Sequence, residues 1–158
     1  MTIFADMITL DDIRKPVTAE LEALDEFVDR QFTAEGELLS DMLRYALSAR
    51  GKGIRPMLVM LSAAMNAPVK GAAAGRRACL AAMLVEMIHV ASLIHDDVID
   101  EADMRRGKPS ANARWQSHKA VILGDYILAK NMNIGLQSGQ FDLVTHVCGS
   151  VSYTHLRA

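Results

Sequence analysis

With 158 residues, 51% hydrophobic and 5% aromatic, 10 Gly and 4 Pro, the chain has the size and composition of one helical domain with a real core. Gly and Pro are scarce and scattered, which favours a helical globular protein over a disordered or all-β one. A net charge of −2 gives no overall field for nucleic acid or an anionic membrane, so any affinity for phosphate must be local.

Along the chain, Met1 to Pro16 lacks the basic and apolar regions of a secretory signal. Thr9, with Asp11 and Asp12 behind it, reads as an N-cap and acidic first turn. Val17, Leu21, Leu24, Phe27 and Val28 then form one apolar stripe. A second helix is expected over Glu37 to Ser48, with Leu38, Leu39, Met42, Leu43 and Ala46 inward. "ARGKGIRP" follows as a Gly-punctuated basic loop, and Pro56 suits the first turn of the next, short helix.

A fourth helix is expected from Arg76 to Asp100, then a loop through "EADMRRGKP". A long helix from Ser110 to Asn133 comes next, with Ser110 as its cap, and a last one starts beyond Gly139. No strand pattern competes, so the fold class is all-α. The longest apolar run, Cys79 to Ile94, holds Glu86 and His89 and falls short of the ~20 residues of a membrane span. Cys79 and Cys148 lack metal or redox spacing and are expected as reduced thiols in the cytoplasm.

The chemistry gathers at "HDDVIDEADMRRGKP". Asp96, Asp97, Asp100, Glu101 and Asp103 fall within eight residues, and Arg105 and Arg106 follow. Carboxylates crowded this closely repel one another without a cation among them. They also sit at a helix C-terminus, where the macrodipole disfavours them. Residues four apart share a helix face about 6 Å apart along the axis, so Asp96 and Asp100 align while Asp97 turns about 100° aside. His89 and Ser92 extend that stripe. Two carboxylates on adjacent turns suit Mg²⁺, which takes few protein oxygens and keeps water and phosphate. An EF-hand loop is missing, and His89 and His95 lack the partners of a zinc site.

Taken singly, these features have ordinary readings: solvated acids, a core histidine, surface arginines. Jointly, beside a second basic loop, they indicate an anion site. In "RGKGIRP", Gly51 and Gly53 allow close backbone approach, Lys52 brings a point charge, and Arg55 brings a planar fork.

"GKGIRP" followed by "EMIHVASLIHDDVIDEADMRRGKPS", and then "ILGDYILAK", resembles the trans-isoprenyl (polyprenyl) diphosphate synthases. Asp96, Asp97 and Asp100 match that family's DDxxD motif. The resemblance implies an isoprenoid-synthase helical bundle over residues 1–150. It also implies catalysis through Asp96, Asp97, Asp100 and Arg105, with Mg²⁺ on Asp96 and Asp100 and an allylic diphosphate on Arg105. Isopentenyl diphosphate would sit on Lys52, Arg55, His89 and Arg106. The family's loop reads GGKRxRP, so Arg50 stands for its first Gly and Gly53 for its first Arg; altered affinity is expected.

Chain-length control is expected at Ala91 and Ser92, one turn before Asp96, where small side chains would let a product tail pass deeper. A long, octaprenyl- or solanesyl-like product follows, made by a homodimer. Family members are about twice this length and carry a second aspartate-rich motif. The chain is therefore expected to be an N-terminal piece, inactive alone, with exposed apolar helix faces. A diphosphate-binding partner subunit of a heteromeric synthase is the alternative. "VSYTHLRA", Val151 to Ala158, resembles a translated transposon-end sequencing adapter and is expected to be a non-helical, artefactual tail.

Overall fold

The computed structural model describes residues 8–48, 51–67 and 75–155, with side chains to residue 150. Helix α1 (Leu10–Arg14) opens on a reciprocal cap: the Asp12 amide donates to Thr9 Oγ1 at 3.2 Å, and the Thr9 amide donates to the Asp12 carboxylate at 3.1 Å. Pro16 lies in a tight 3-10 turn, Lys15–Val17, which separates α1 from α2 (Thr18–Gln31). Val17, Leu21, Leu24 and Val28 are buried as their spacing requires, and Phe27 packs partly against them.

Helix α3 (Glu37–Ser48) buries Met42, Leu43, Ala46 and Leu47. Leu38, expected inward, is 50% exposed because it stands on the solvent side of the first turn. Gly53, with φ +62, sits in the left-handed region before α4 (Ile54–Met65), whose first turn holds Pro56. The core runs from Met57 and Met60 of α4 into α5 (Arg76–Ile99), which is buried on nearly every side and packs most extensively on the later helix Ser117–Gln137, then on α4. By length and hydropathy α5 is apolar enough to cross a membrane, contrary to the expectation from the shorter run; more than half of its apolar window is instead covered by the other helices.

After α5 the chain makes a two-residue-per-strand hairpin, β1 (Met104–Arg105) and β2 (Lys108–Pro109), paired Met104↔Pro109 and Arg105↔Lys108. This piece of sheet, where a plain loop is expected, leaves the all-α class unchanged. Ser110 caps α6 (Ala111–Trp115), its hydroxyl accepting from the Ala113 amide at 3.0 Å. The long helix expected from Ser110 is broken at Gln116, φ +73, and resumes as α7 (Ser117–Gln137).

Ala120, Leu123, Gly124, Ile127, Asn131 and Gly135 give α7 a buried face on which small residues stand among larger ones. Asn131 donates from Nδ2 to the Leu84 carbonyl at 3.0 Å across that contact. Helix α8 (Phe141–His155) is tied to the start of α5 by the exposed Arg77–Asp142 ion pair. It continues five residues into the stretch expected to be a non-helical tail.

Candidate functional site

The described chain brings its cations to one place. A cavity of about 120 Å³ opens between α5, the basic loop with the first turn of α4 that follows it, and the hairpin. Lys52, Arg55, His89, Arg105 and Arg106, the five residues expected to hold diphosphates, all line it. Lys108, Tyr45 and Glu86 line it too, and the sequence reading passed over them. Lys108 was visible as a third cation two residues after Arg106; Tyr45 and Glu86 carry no motif signal.

Local structure explains the convergence. The loop is braced from behind by Arg14, whose Nη2 donates to the Lys52 carbonyl at 3.0 Å. The Arg106 guanidinium lies where a Cβ on Gly51 would stand, so a side chain there would displace that arginine. Gly51 thus lets an arginine of the cavity lie against the loop backbone. Arg50, the other departure from the family loop, lies outside the described residues.

The facing stripe of α5 differs from the one expected. Glu86, His89, Leu93 and Asp97 face the cavity; Ser92, Asp96 and Asp100 do not line it. The Asp97 carboxylate is buried, and Arg105 grips it: Nε donates to both oxygens at 2.8 Å, and Nη2 lies 2.7 Å from Oδ1. A buried carboxylate needs such a partner. The same bond raises the Arg105 guanidinium above its usual range, so it stays charged. Arg105 is thus committed on one edge to the protein.

His89 is half-buried. Burial, and then the nearby Arg55, Arg106 and Arg105, push its pKa down against a smaller opposing pull from Asp96. Its imidazole is neutral at pH 7 and keeps one donor and one acceptor nitrogen.

Asp96 and Asp100 are exposed on the last turn of α5, with the Asp100 amide donating to the Asp96 carbonyl at 2.8 Å. Hard carboxylate oxygens on adjacent turns, open to solvent, fit a cation that keeps most of its water. No ready-made group of three or more His, Cys, Asp or Glu ligands occurs among the described residues, so these two would be only part of a coordination shell. Ala91 is buried inside α5's packing, and the Ser92 hydroxyl donates back to the Ile88 carbonyl at 3.0 Å. Neither reaches the cation-lined cavity.

Comparison with known proteins gives the same direction. A family model described as polyprenyl synthetase matches residues 36–156, which includes most of the stretch expected to be an unrelated tail. An all-trans-nonaprenyl-diphosphate synthase of Rhodobacter capsulatus is 34% identical over 78% of this chain and 37% of its own length. A nonaprenyl diphosphate synthase of Mycobacterium tuberculosis is 42% identical over 72% of this chain and 32% of its own length. A solved decaprenyl diphosphate synthase from Rhodobacter capsulatus superposes with a TM-score of 0.79 at 27% identity, covering 90% of this chain and 42% of the other. The chain spans about a third of the length of the curated relatives it matches.

Proposed function

Because the chain belongs to the polyprenyl synthetase family, we propose that its cavity is the diphosphate end of a site that condenses isopentenyl diphosphate with an allylic diphosphate. One observation carries this: Lys52, Arg55, His89, Arg105 and Arg106 come from three separate segments and line a single cavity. With Lys108, the four cations Lys52, Arg55, Arg105 and Arg106 outnumber the two carboxylates, Glu86 and Asp97, that line the same space, so the cavity carries positive charge to spare for an anion.

In this reading Lys52, Arg55, Arg106 and neutral His89 hold the diphosphate of isopentenyl diphosphate, and Arg105, steadied by Asp97, contacts the allylic diphosphate. Asp96 and Asp100 would hold Mg²⁺, which when bound supplies the positive charge that helps the allylic diphosphate depart. The cationic side chains stabilise the same developing negative charge, and preorganised charge of this kind is the largest catalytic contribution available to a polar site. Apolar walls from Leu93 and Ile94 keep water from the allylic cation. The double bond of isopentenyl diphosphate attacks that cation, a carbon–carbon bond forms, and loss of a proton restores the alkene one five-carbon unit longer.

A long-chain product is supported by the small side chains at Ala91 and Ser92 and by the nonaprenyl names of the relatives. A homodimer is part of the same proposal. The test is calorimetric titration with isopentenyl diphosphate, without metal or allylic substrate. Binding that is lost in Arg55→Met supports the reading. Binding only in the presence of an allylic diphosphate contradicts it.

A further inference from the structure

The hairpin that carries Arg105, Arg106 and Lys108 is too short to hold itself. Two residues per strand are not stable in water unless something outside supports them. Its turn also carries a cost: Arg106 has φ +51 and Gly107 φ +76. Left-handed φ at both turn residues suits a two-residue hairpin, but Arg is not a residue that adopts it freely. Strain of this kind persists only where the surroundings fix the conformation.

The first strand has such a support in the Arg105–Asp97 pair. The second has a different one, which crosses to another helix. The Tyr45 hydroxyl on α3 donates to the Pro109 carbonyl at 2.7 Å. Tyr45 is itself held in place: its ring meets Trp115 edge-on at 5.1 Å and 81°, and the Arg114 guanidinium lies 4.6 Å from its centre and 4.7 Å from that of Trp115. The ring is thus fixed by α6, and the hydroxyl transmits that position to the strand bearing Lys108.

We propose that Tyr45 is a positioning residue for the anion cavity, its hydroxyl holding the second hairpin strand so that Arg106 and Lys108 face the bound diphosphate. The proposal rests on the diphosphate reading above. Arg105, held separately by Asp97, does not depend on it.

Tyr45→Phe keeps the ring and removes only the hydroxyl, so the bundle should still fold. Hydrogen exchange should accelerate at amides 104–110 and stay unchanged in α5 and α7. Affinity for inorganic diphosphate, measured without added metal, should fall roughly fivefold, the worth of one hydrogen bond. Combined with Lys108→Met the losses should be less than additive, whereas combined with Arg55→Met they should add. Unchanged exchange at 104–110 overturns the proposal. So does faster exchange with diphosphate affinity intact, which would make the hydroxyl a brace of the fold alone. A wild-type chain that binds no diphosphate overturns both this proposal and the reading beneath it. Intact wild-type binding, with Tyr45→Phe indistinguishable from it, overturns this one only.

Discussion

Asp96 and Asp97 are neighbours in the chain with different surroundings. Asp96 is exposed on a solvent-facing turn; Asp97 is 3% exposed and gripped by Arg105. Removing the charge from Asp97 leaves Arg105 without its buried counter-ion, a change that typically costs about 3–5 kcal/mol at fully buried pairs and less here, where Arg105 is one-third exposed. Asp97→Asn should therefore lower the melting temperature and weaken metal-free diphosphate binding, while leaving Mn²⁺ binding, read by electron paramagnetic resonance, unchanged. Asp96→Asn should do the reverse. Equal loss of Mn²⁺ in both variants would make Asp97 a ligand.

His89 gives a pH signature. Its folded pKa lies below the ordinary value of 6.5, so as pH falls from there the unfolded chain takes up a proton that the folded chain resists. The stability contributed by neutral His89 is complete above pH 6.5 and is lost through the folded pKa. His89→Gln should flatten that limb of a melting-temperature profile; an unchanged slope would place the effect elsewhere. Helical periodicity separated Asp97 from the Asp96–Asp100 stripe, but it does not say which stripe meets the cavity. That is decided by α4 and α7 packing around α5 and by Arg105, which lies eight residues further on.

At the scale of elements, the helix starts were legible because their side chains satisfy their own backbone. Thr9 and Ser110 are oxygen-bearing caps, and the structure uses both. The break at Gln116 has no such sign. No Gly or Pro marks it, and its positive φ follows from joining α6, fixed by Trp115 and Arg114 against Tyr45, to α7, fixed against α5. The hairpin is equally silent in sequence, since its supports lie on α3 and α5.

Gly124 shows the α5–α7 contact most sharply. A Cβ there would stand within 3.0 Å of three ring atoms of His95, the residue before Asp96. In an ordinary helix interior Gly→Ala gains about 1 kcal/mol. At this position the sign should reverse, with a loss of about 2 kcal/mol from overpacking, seen in a denaturant melt. A stabilised Gly124→Ala would show that the His95 ring swings aside.

The whole molecule combines a continuous core with large apolar side chains facing solvent. Met57, Met60, Met83, Leu84, Met87, Leu123 and Ile127 are fully or nearly fully buried, and each such side chain contributes about 1.5–3 kcal/mol. Yet Leu58 and Met65 on α4, Ile99 at the end of α5, Ile122 and Leu136 on α7, and Phe141 on α8 are half or more exposed. Where such side chains gather on one face, that face favours association. The 158-residue chain should bind an apolar dye such as ANS and sediment as concentration-dependent species. A dye-free, monodisperse monomer with a sharp melt would contradict this.

Separate segments of this chain line one cavity rich in cations, and two exposed carboxylates stand on adjacent turns at the end of α5. The decisive measurement is a crystal structure of the chain soaked with isopentenyl diphosphate and Mn²⁺, with anomalous data at the manganese edge. Diphosphate oxygens should lie among Lys52, Arg55, His89 and Arg106, and manganese at Asp96 and Asp100, with the Asp97–Arg105 pair intact. Diphosphate bound away from those four side chains, or manganese on Asp97, would contradict this.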